Sequence, residues 1–186
     1  MEAKILTMPR PNPKQRLALA EKHRYVGYGG ARGGGKSWFV RWKAVLLCLN
    51  YPGIKILITR KTYRELLNNH IAPLLSLLAG VARYNKSDKC FTFPNGSTIW
   101  FGYCANDTDL GQYQGAEFDI WFADEAGQFP EGLRNSRMDC SHFHSFEFVS
   151  FFIAHLHSYS EKGPLLKTQQ ALMFLSIFLL RKIDMI

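Results

Sequence analysis

The four cysteines of this 186-residue chain, Cys48, Cys90, Cys104 and Cys140, include no CxxC pair. That removes a thioredoxin-like motif and a paired-thiolate zinc framework from consideration. Three of the four lie in apolar stretches and read as reduced, mostly buried thiols of a cytosolic protein. Long apolar runs are missing too. The longest late one, "ALMFLSIFLL" (171–180), covers ten residues, about half of what a bilayer-spanning helix needs. The start, "MEAKILTMPRPNPK", has no apolar core of signal-peptide length, which argues against secretion. No internal repeat is visible. Acidic residues are scarce in the first half: residues 1–80 carry 14 Lys and Arg against 3 Asp and Glu, whereas 81–186 carry 9 against 12. The basic half fits a polyanionic partner such as DNA, and it fits a solvated basic face equally well. By length the chain is one domain and can bury a real core.

What is present in excess is glycine beside positive charge, in "YGGARGGGKS" (28–37). Glycine weakens helices and strands, so the stretch needs a compensating role. Gly30, four residues, then Gly35, Lys36 and Ser37 fit GxxxxGK[ST], the phosphate-cradling loop of nucleoside triphosphatases. Glycines let backbone N–H groups turn inward around phosphate oxygens, and the helix that follows aims its positive end at them. Gly30, Ala31, Arg32, Gly33, Gly34, Gly35, Lys36 and Ser37 are therefore the candidate nucleotide-binding residues. Lys36 would reach the β- and γ-phosphates, and the Ser37 hydroxyl would ligate Mg²⁺.

Such a loop works only between a strand and a helix. "RYVGYG" (24–29) has the aromatic and β-branched character of a short buried strand. "SWFVRWKAVLLCLN" (37–50) places Phe39, Trp42, Val45, Leu46 and Leu49 at helical spacing, with Arg41 and Lys43 off that stripe. "YPG" (51–53) ends the helix, and "IKILIT" (54–59) reads as another buried strand.

A hydrolase also needs a carboxylate for the metal and a base for water. "FDIWFADEA" (118–126) is an apolar strand that ends on Asp124, followed directly by Glu125. Asp124 would hold the Mg²⁺ shell, and Glu125 would orient and deprotonate the attacking water. Adjacent carboxylates at this place indicate the catalytic-glutamate branch of P-loop enzymes. Between the two motifs, 61–80 reads as a leucine-striped helix ending at Gly80, and 89–104 as a hairpin around "PNG".

Taken in order, "PNPKQ" (11–15), "GGARGGGKS", "ILITRKTYREL", "FPNGSTIWFGY", "YQGAEFDIWFADEAGQFPE" and "LRNSR" resemble the ATPase domain of tailed-phage terminase large subunits. The resemblance covers roughly residues 10–137, and "QGAEFD…DEAGQF" is its most specific part. It implies a three-layer α/β P-loop domain with a mainly parallel sheet. It also implies an ATP- and Mg²⁺-dependent motor that pushes double-stranded viral DNA through a portal into a capsid, in the cytoplasm of a bacterial host and without membrane attachment. The implied protein partners are the portal protein, the small terminase subunit and a ring of like subunits. By the same resemblance Gln15 reads the adenine edge and Arg32 acts as an arginine finger in cis. Arg60 fits either a further functional basic residue or an ordinary strand-end charge.

After Arg137 the resemblance stops. The family continues with a strand ending in a Thr-x-Asn-like coupling motif and then a nuclease domain. The segment 138–186 contains no Thr/Ser-x-Asn triplet, and its only aspartates are Asp139 and Asp184. Cys140, His142, His144, His155 and His157 lack the spacing of a zinc site. The expected organisation is a partial ATPase domain over 1–137 and an atypical, poorly packing tail over 138–186, with the look of an out-of-frame reading. A sheet cut after the Asp124 strand would leave one edge unpaired. Two alternatives stay open on sequence alone, a helicase-like P-loop enzyme and a nucleotide-binding remnant without turnover.

Overall fold

In "KILITR" (55–60) Ile56 and Ile58 pack into one apolar cluster and Leu57 into another, the period-two division that a pleated strand imposes. The computed structural model describes residues 5–21, 23, 25–29, 33–106, 109, 117–129 and 150–153. All of them belong to the first of two compact units, Met1–Leu156 and His157–Ile186. The elements run α1 (Pro13–Ala20), β1 (Tyr25–Gly27), α2 (Lys36–Asn50), β2 (Lys55–Arg60), α3 (Tyr63–Leu66), a π-helical turn (Leu67–Ile71) and α4 (Ala72–Leu77). Then follow β3 (Arg83–Asn85), β4 (Cys90–Thr92), β5 (Thr98–Tyr103), β6 (Ile120–Asp124) and β7 (Ser150–Ile153).

The sheet order is β1-β7-β6-β2-β5-β4-β3. Pairs from β1 through to β5 are parallel, and β5–β4 and β4–β3 are antiparallel. This is the α/β, mainly parallel fold expected from the sequence. One face carries the main core: Phe39, Val40, Ala44, Val45 and Cys48 of α2 meet Ile56, Ile58, Ile120 and Phe122, with Leu66, Ile71, Leu74 and Leu78 from the helical stretch after β2. Each fully buried Val, Leu, Ile or Phe side chain among them contributes about 1.5–3 kcal/mol relative to exposure. On the other face, among the described residues, Leu57, Trp121, Ala123 and Cys104 are covered by Phe129, with Trp100, Phe118 and Ala126 at the margin. No helix among the described residues is long and apolar enough to cross a membrane.

The hairpin does more than pair strands. Asn95 Nδ2 donates to the Cys48 carbonyl at 2.7 Å and Ser97 Oγ to the Tyr51 carbonyl at 2.8 Å. The "PNGS" turn thereby satisfies carbonyls that the end of α2 leaves without helical partners. Lys43 does the same for α1, its Nζ donating to the carbonyls of Leu19 at 2.6 Å and Glu21 at 3.2 Å. Leu49, expected on the buried stripe of α2, is exposed instead, because the stripe follows Val45 to Cys48 at the helix end.

One expectation needs correction. The sheet does not stop at the Asp124 strand with an open edge there: Ser150–Ile153 pairs in parallel with β6 on one side and β1 on the other. The strand before the glycine-rich loop, β1, and the Asp124 strand are not neighbours, and Ser150–Ile153 fills the slot between them. The remainder of 138–186, including Cys140 and the tail histidines, lies outside the described residues.

Candidate functional site

The site forms where β2 and β6 end beside the start of α2. Strand parity puts it there. Asp124 continues the Ile120–Phe122 face of β6, and Arg60 continues the Ile56–Ile58 face of β2, which is the face that α2 covers. The two strands are held in step by Trp121 Nε1, which donates to Thr59 Oγ1 at 2.8 Å.

The loop end is fixed from α1. Asn12 caps that helix with Pro13 in its first turn, and a reciprocal box joins Asn12 and Gln15: Gln15 N donates to Asn12 Oδ1, and Asn12 N to Gln15 Oε1, each at 2.8 Å. The buried Gln15 then turns its other amide end to the loop, Nε2 donating to the Gly35 carbonyl at 3.1 Å. Gly35 caps α2 in the left-handed region, at φ 74° and ψ 23°. A Cβ there would collide with Gln15 Nε2. Gly35→Ala is accordingly expected to lose about 1–2 kcal/mol to left-handed strain alone. The collision adds to that loss, and a lower urea midpoint at unchanged slope would record it.

Lys36 opens α2 and is buried, only 6% exposed. Ser37 follows, and its Oγ donates to Asp124 Oδ2 at 2.9 Å. Asp124 is fully buried, and the same Oδ2 takes a hydrogen bond from His70 Nε2 at 2.8 Å and lies 3.3 Å from Arg60 Nε. Arg60 Nη2 stands 3.6 Å from Glu125 Oε1, so one guanidinium spans both carboxylates. Burial by itself would raise the Asp124 pKa. The His70 hydrogen bond, the Arg60 charge and the Ser37 hydroxyl outweigh it and hold the carboxyl below its ordinary range. Burial also lowers the pKa of His70, against the pull of Asp124, so the imidazole is neutral and the pair is a hydrogen bond to a carboxylate. Glu125 itself adopts φ 59° and ψ 43°, left-handed backbone on a residue with a long side chain. Such an outlier directly after a buried carboxylate is characteristic of a functional turn.

The structure thus gathers Gln15, Gly35, Lys36, Ser37, Asp124 and Glu125, and Gly33 and Gly34 lead into the same loop end. Gly30, Ala31 and Arg32 lie outside the described residues. His70 has no signal in the sequence and Arg60 an ambiguous one, yet both touch Asp124. The described cysteines are buried away from this chemistry, and burial pushes the Cys90 thiol up to about 11. Among the described residues no group of three His, Cys, Asp or Glu side chains is arranged to hold a metal ion.

Residues 28–138 match the family model described as terminase large subunit, T4likevirus-type, N-terminal. No curated protein matches the chain. Among solved structures, the large terminase of a thermophilic bacteriophage in complex with ATP-gamma-S aligns at 18% identity and TM-score 0.60, over 76% of this chain and 37% of that one. The Thermus phage P74-26 large terminase ATPase domain aligns at 17% and 0.59, over 78% and 64%. A chain of the bacteriophage Phi-29 genome packaging motor assembly aligns at 15% and 0.52, over 86% and 50%. The chain spans less than two thirds of the length of each of these relatives. Likeness at such identities establishes the P-loop fold, and the family match over 28–138 establishes descent: the chain belongs to the terminase large subunit family, T4-like-virus type, and carries its N-terminal domain.

Proposed function

We propose that this chain is the ATP-hydrolysing motor domain of a phage terminase large subunit, which drives double-stranded viral DNA into a capsid. The observation that carries this reading is the hydrogen bond between Ser37 and Asp124, 87 positions apart, next to the buried Lys36. A hydroxyl, a carboxylate and an ammonium brought to the start of one helix are what a metal-bound triphosphate requires.

The donor set fits Mg²⁺. Ser37 and Asp124 offer hard oxygen ligands, and Asp124 Oδ1 is buried without a hydrogen-bond partner among the described residues. When bound, Mg²⁺ would neutralise charge on the β- and γ-phosphates. Everything else falls to the chain. The first N–H groups of α2 and the Gly33–Gly35 backbone orient the phosphates, and Lys36 binds their terminal oxygens. Glu125 accepts the proton of the attacking water. Arg32, by the family's pattern, offsets charge on the departing γ-phosphate. Gln15 keeps one amide N–H beyond its bond to Gly35 and offers it to the adenine edge.

The motor domain is proposed to span 1–137, with β7 added from the segment beyond. DNA, portal protein, small terminase subunit and a ring of like subunits are the partners this reading implies, in the cytoplasm of the host bacterium. Residues 138–186 carry no Thr/Ser-x-Asn triplet where the family's pattern continues with one, which favours a second reading, a remnant that binds ATP without turning it over. Both are tested by measuring Mg–ATP binding and phosphate release on the 186-residue chain. Lys36→Ala is expected to weaken binding by at least about 10- to 100-fold, the worth of one charged contact of about 1.5–3 kcal/mol. Tight binding that survives Lys36→Ala would overturn the site. Lys36-dependent binding with no phosphate release would select the remnant.

A further inference from the structure

We propose that His70 is a positioning residue for Asp124: its Nε2–H and the Ser37 hydroxyl occupy Oδ2, beside the Arg60 charge, and so leave Oδ1 as the oxygen offered to Mg²⁺. The inference rests on the nucleotide-site reading and extends it to a residue that no phosphate-loop motif contains.

The geometry is specific. His70 and Asp124 are both fully buried, 54 positions apart, with Nε2 and Oδ2 at 2.8 Å. Ser37 Oγ and Arg60 Nε approach that same oxygen at 2.9 and 3.3 Å. Among the described residues Oδ1 has no hydrogen-bond partner, and neither does His70 Nδ1. The asymmetry fixes the tautomer. A carboxylate accepts only, so Nε2 must carry the proton, and in the neutral ring Nδ1 is then bare. Without His70 the carboxylate would be held by Ser37 and Arg60 alone. Each of these has a competing role, Ser37 as the proposed metal ligand and Arg60 beside Glu125. The His70 ring has no second polar partner among the described residues, so it keeps the carboxylate aimed when the Ser37 hydroxyl is drawn to a cation.

The support behind His70 is equally built. It sits in the π-helical turn, where the Ala72 N–H reaches back to the Leu67 carbonyl. Arg41 of α2 donates to the Asn69 carbonyl in the same turn. Helix α2 therefore grips both the loop that binds phosphate and the turn that aims the carboxylate. π turns recur at functional sites because they place a side chain where a regular helix cannot.

The test uses the full chain as wild type, His70→Gln and His70→Leu, with Mg²⁺ titrated against a fluorescent ATP analogue and a parallel titration in EDTA. His70→Leu is expected to raise the Mg²⁺ requirement about 10–100-fold and to leave metal-free nucleotide affinity unchanged. His70→Gln, which keeps an N–H at its tip, stays close to wild type. An unchanged Mg²⁺ requirement in His70→Leu overturns the inference, and so does equal impairment in both variants. Should either variant fail to fold, nitrogen-15 NMR of the wild-type imidazole decides: an Nε2–H tautomer supports the proposal, and Nδ1–H overturns it. Wild-type chain that binds no nucleotide overturns the site reading and this inference with it, whereas the His70→Leu result alone leaves that reading intact.

Discussion

Glu125→Gln will keep its affinity for Mg–ATP and lose turnover by a factor of about 10²–10⁴, the usual worth of a positioned general base. The substitution conserves shape. It changes one property, since a neutral amide does not take up a proton from water. The side chain is poised, not loose: it is only 14% exposed, and Arg60 Nη2 lies 3.6 Å from Oε1. Its backbone is held in left-handed geometry at a cost of about 1–2 kcal/mol for a non-glycine residue. A chain keeps such a conformation only where its surroundings over-determine it. The Ala126–Gln128 turn does so here, with Gln128 N donating to the Glu125 carbonyl at 2.8 Å. Single-turnover phosphate release is the measurement, run beside equilibrium binding. Equal rates for wild type and Glu125→Gln would remove Glu125 from its assigned role.

The second large effect is on stability. Asp124→Ala will destabilise the fold by roughly 3–5 kcal/mol, as removal of one partner from a buried charged cluster does. Two hydrogen bonds, from Ser37 and His70, and the Arg60 charge converge on the lost oxygen. His70 is fully buried and would have no acceptor left among the described residues, and Arg60, 7% exposed, would keep only the neighbouring Glu125. A typical domain is stable by only about 5–15 kcal/mol, so the loss is a large fraction of the whole. Asp124→Asn retains one acceptor oxygen and should lose less. Urea unfolding of the three proteins checks the order. A loss under about 1 kcal/mol for the alanine variant would mean the cluster is as weakly coupled as an exposed ion pair.

The phosphate loop and the Asp124 strand are legible in the sequence because their chemistry fixes residue type at fixed spacing. Lys36 and Ser37 are singled out by GxxxxGK[ST] spacing, and Asp124 only by its place after that loop, since a carboxylate ending an apolar strand is by itself as often a solvated turn. The same holds for the hairpin, where "PNG" between strand-forming runs has one economical fold. Elements without a period of their own are not legible. β3 is three residues, Arg83–Asn85, and exists only as a partner for β4. β7 lies between strands distant in sequence, and a long-range slot leaves no local pattern. Arg41 and Lys43 read as the solvent side of α2, yet both are only partly exposed and bond to carbonyls of other segments. Charge tells where a side chain is soluble, not which carbonyl it will reach. His70, in "LLNNHIAPLL", looks like any polar residue of a helix, because its direction is set by a turn that is not α-helical.

That turn has a consequence for residue counting. Across Leu67–Ile71 the backbone hydrogen bond reaches back five residues, from the Ala72 N–H to the Leu67 carbonyl, where an α-helix reaches back four. The segment is therefore out of phase with itself. Before the turn the inward stripe runs through Leu66, and after it through Ile71, Leu74 and Leu78, all fully buried. Their spacing of five, three and four contains one residue too many for a single helix. His70 and Ile71, adjacent in sequence, are both without exposure. Deleting Asn68 would splice the two stripes into a spacing of about four, three and four, a better helix by every local measure. It would also move the imidazole from four residues after Leu66 to three, turning it by about 100° relative to that residue. Helix regularity and the geometry of the site pull in opposite directions here, and the chain carries the extra residue.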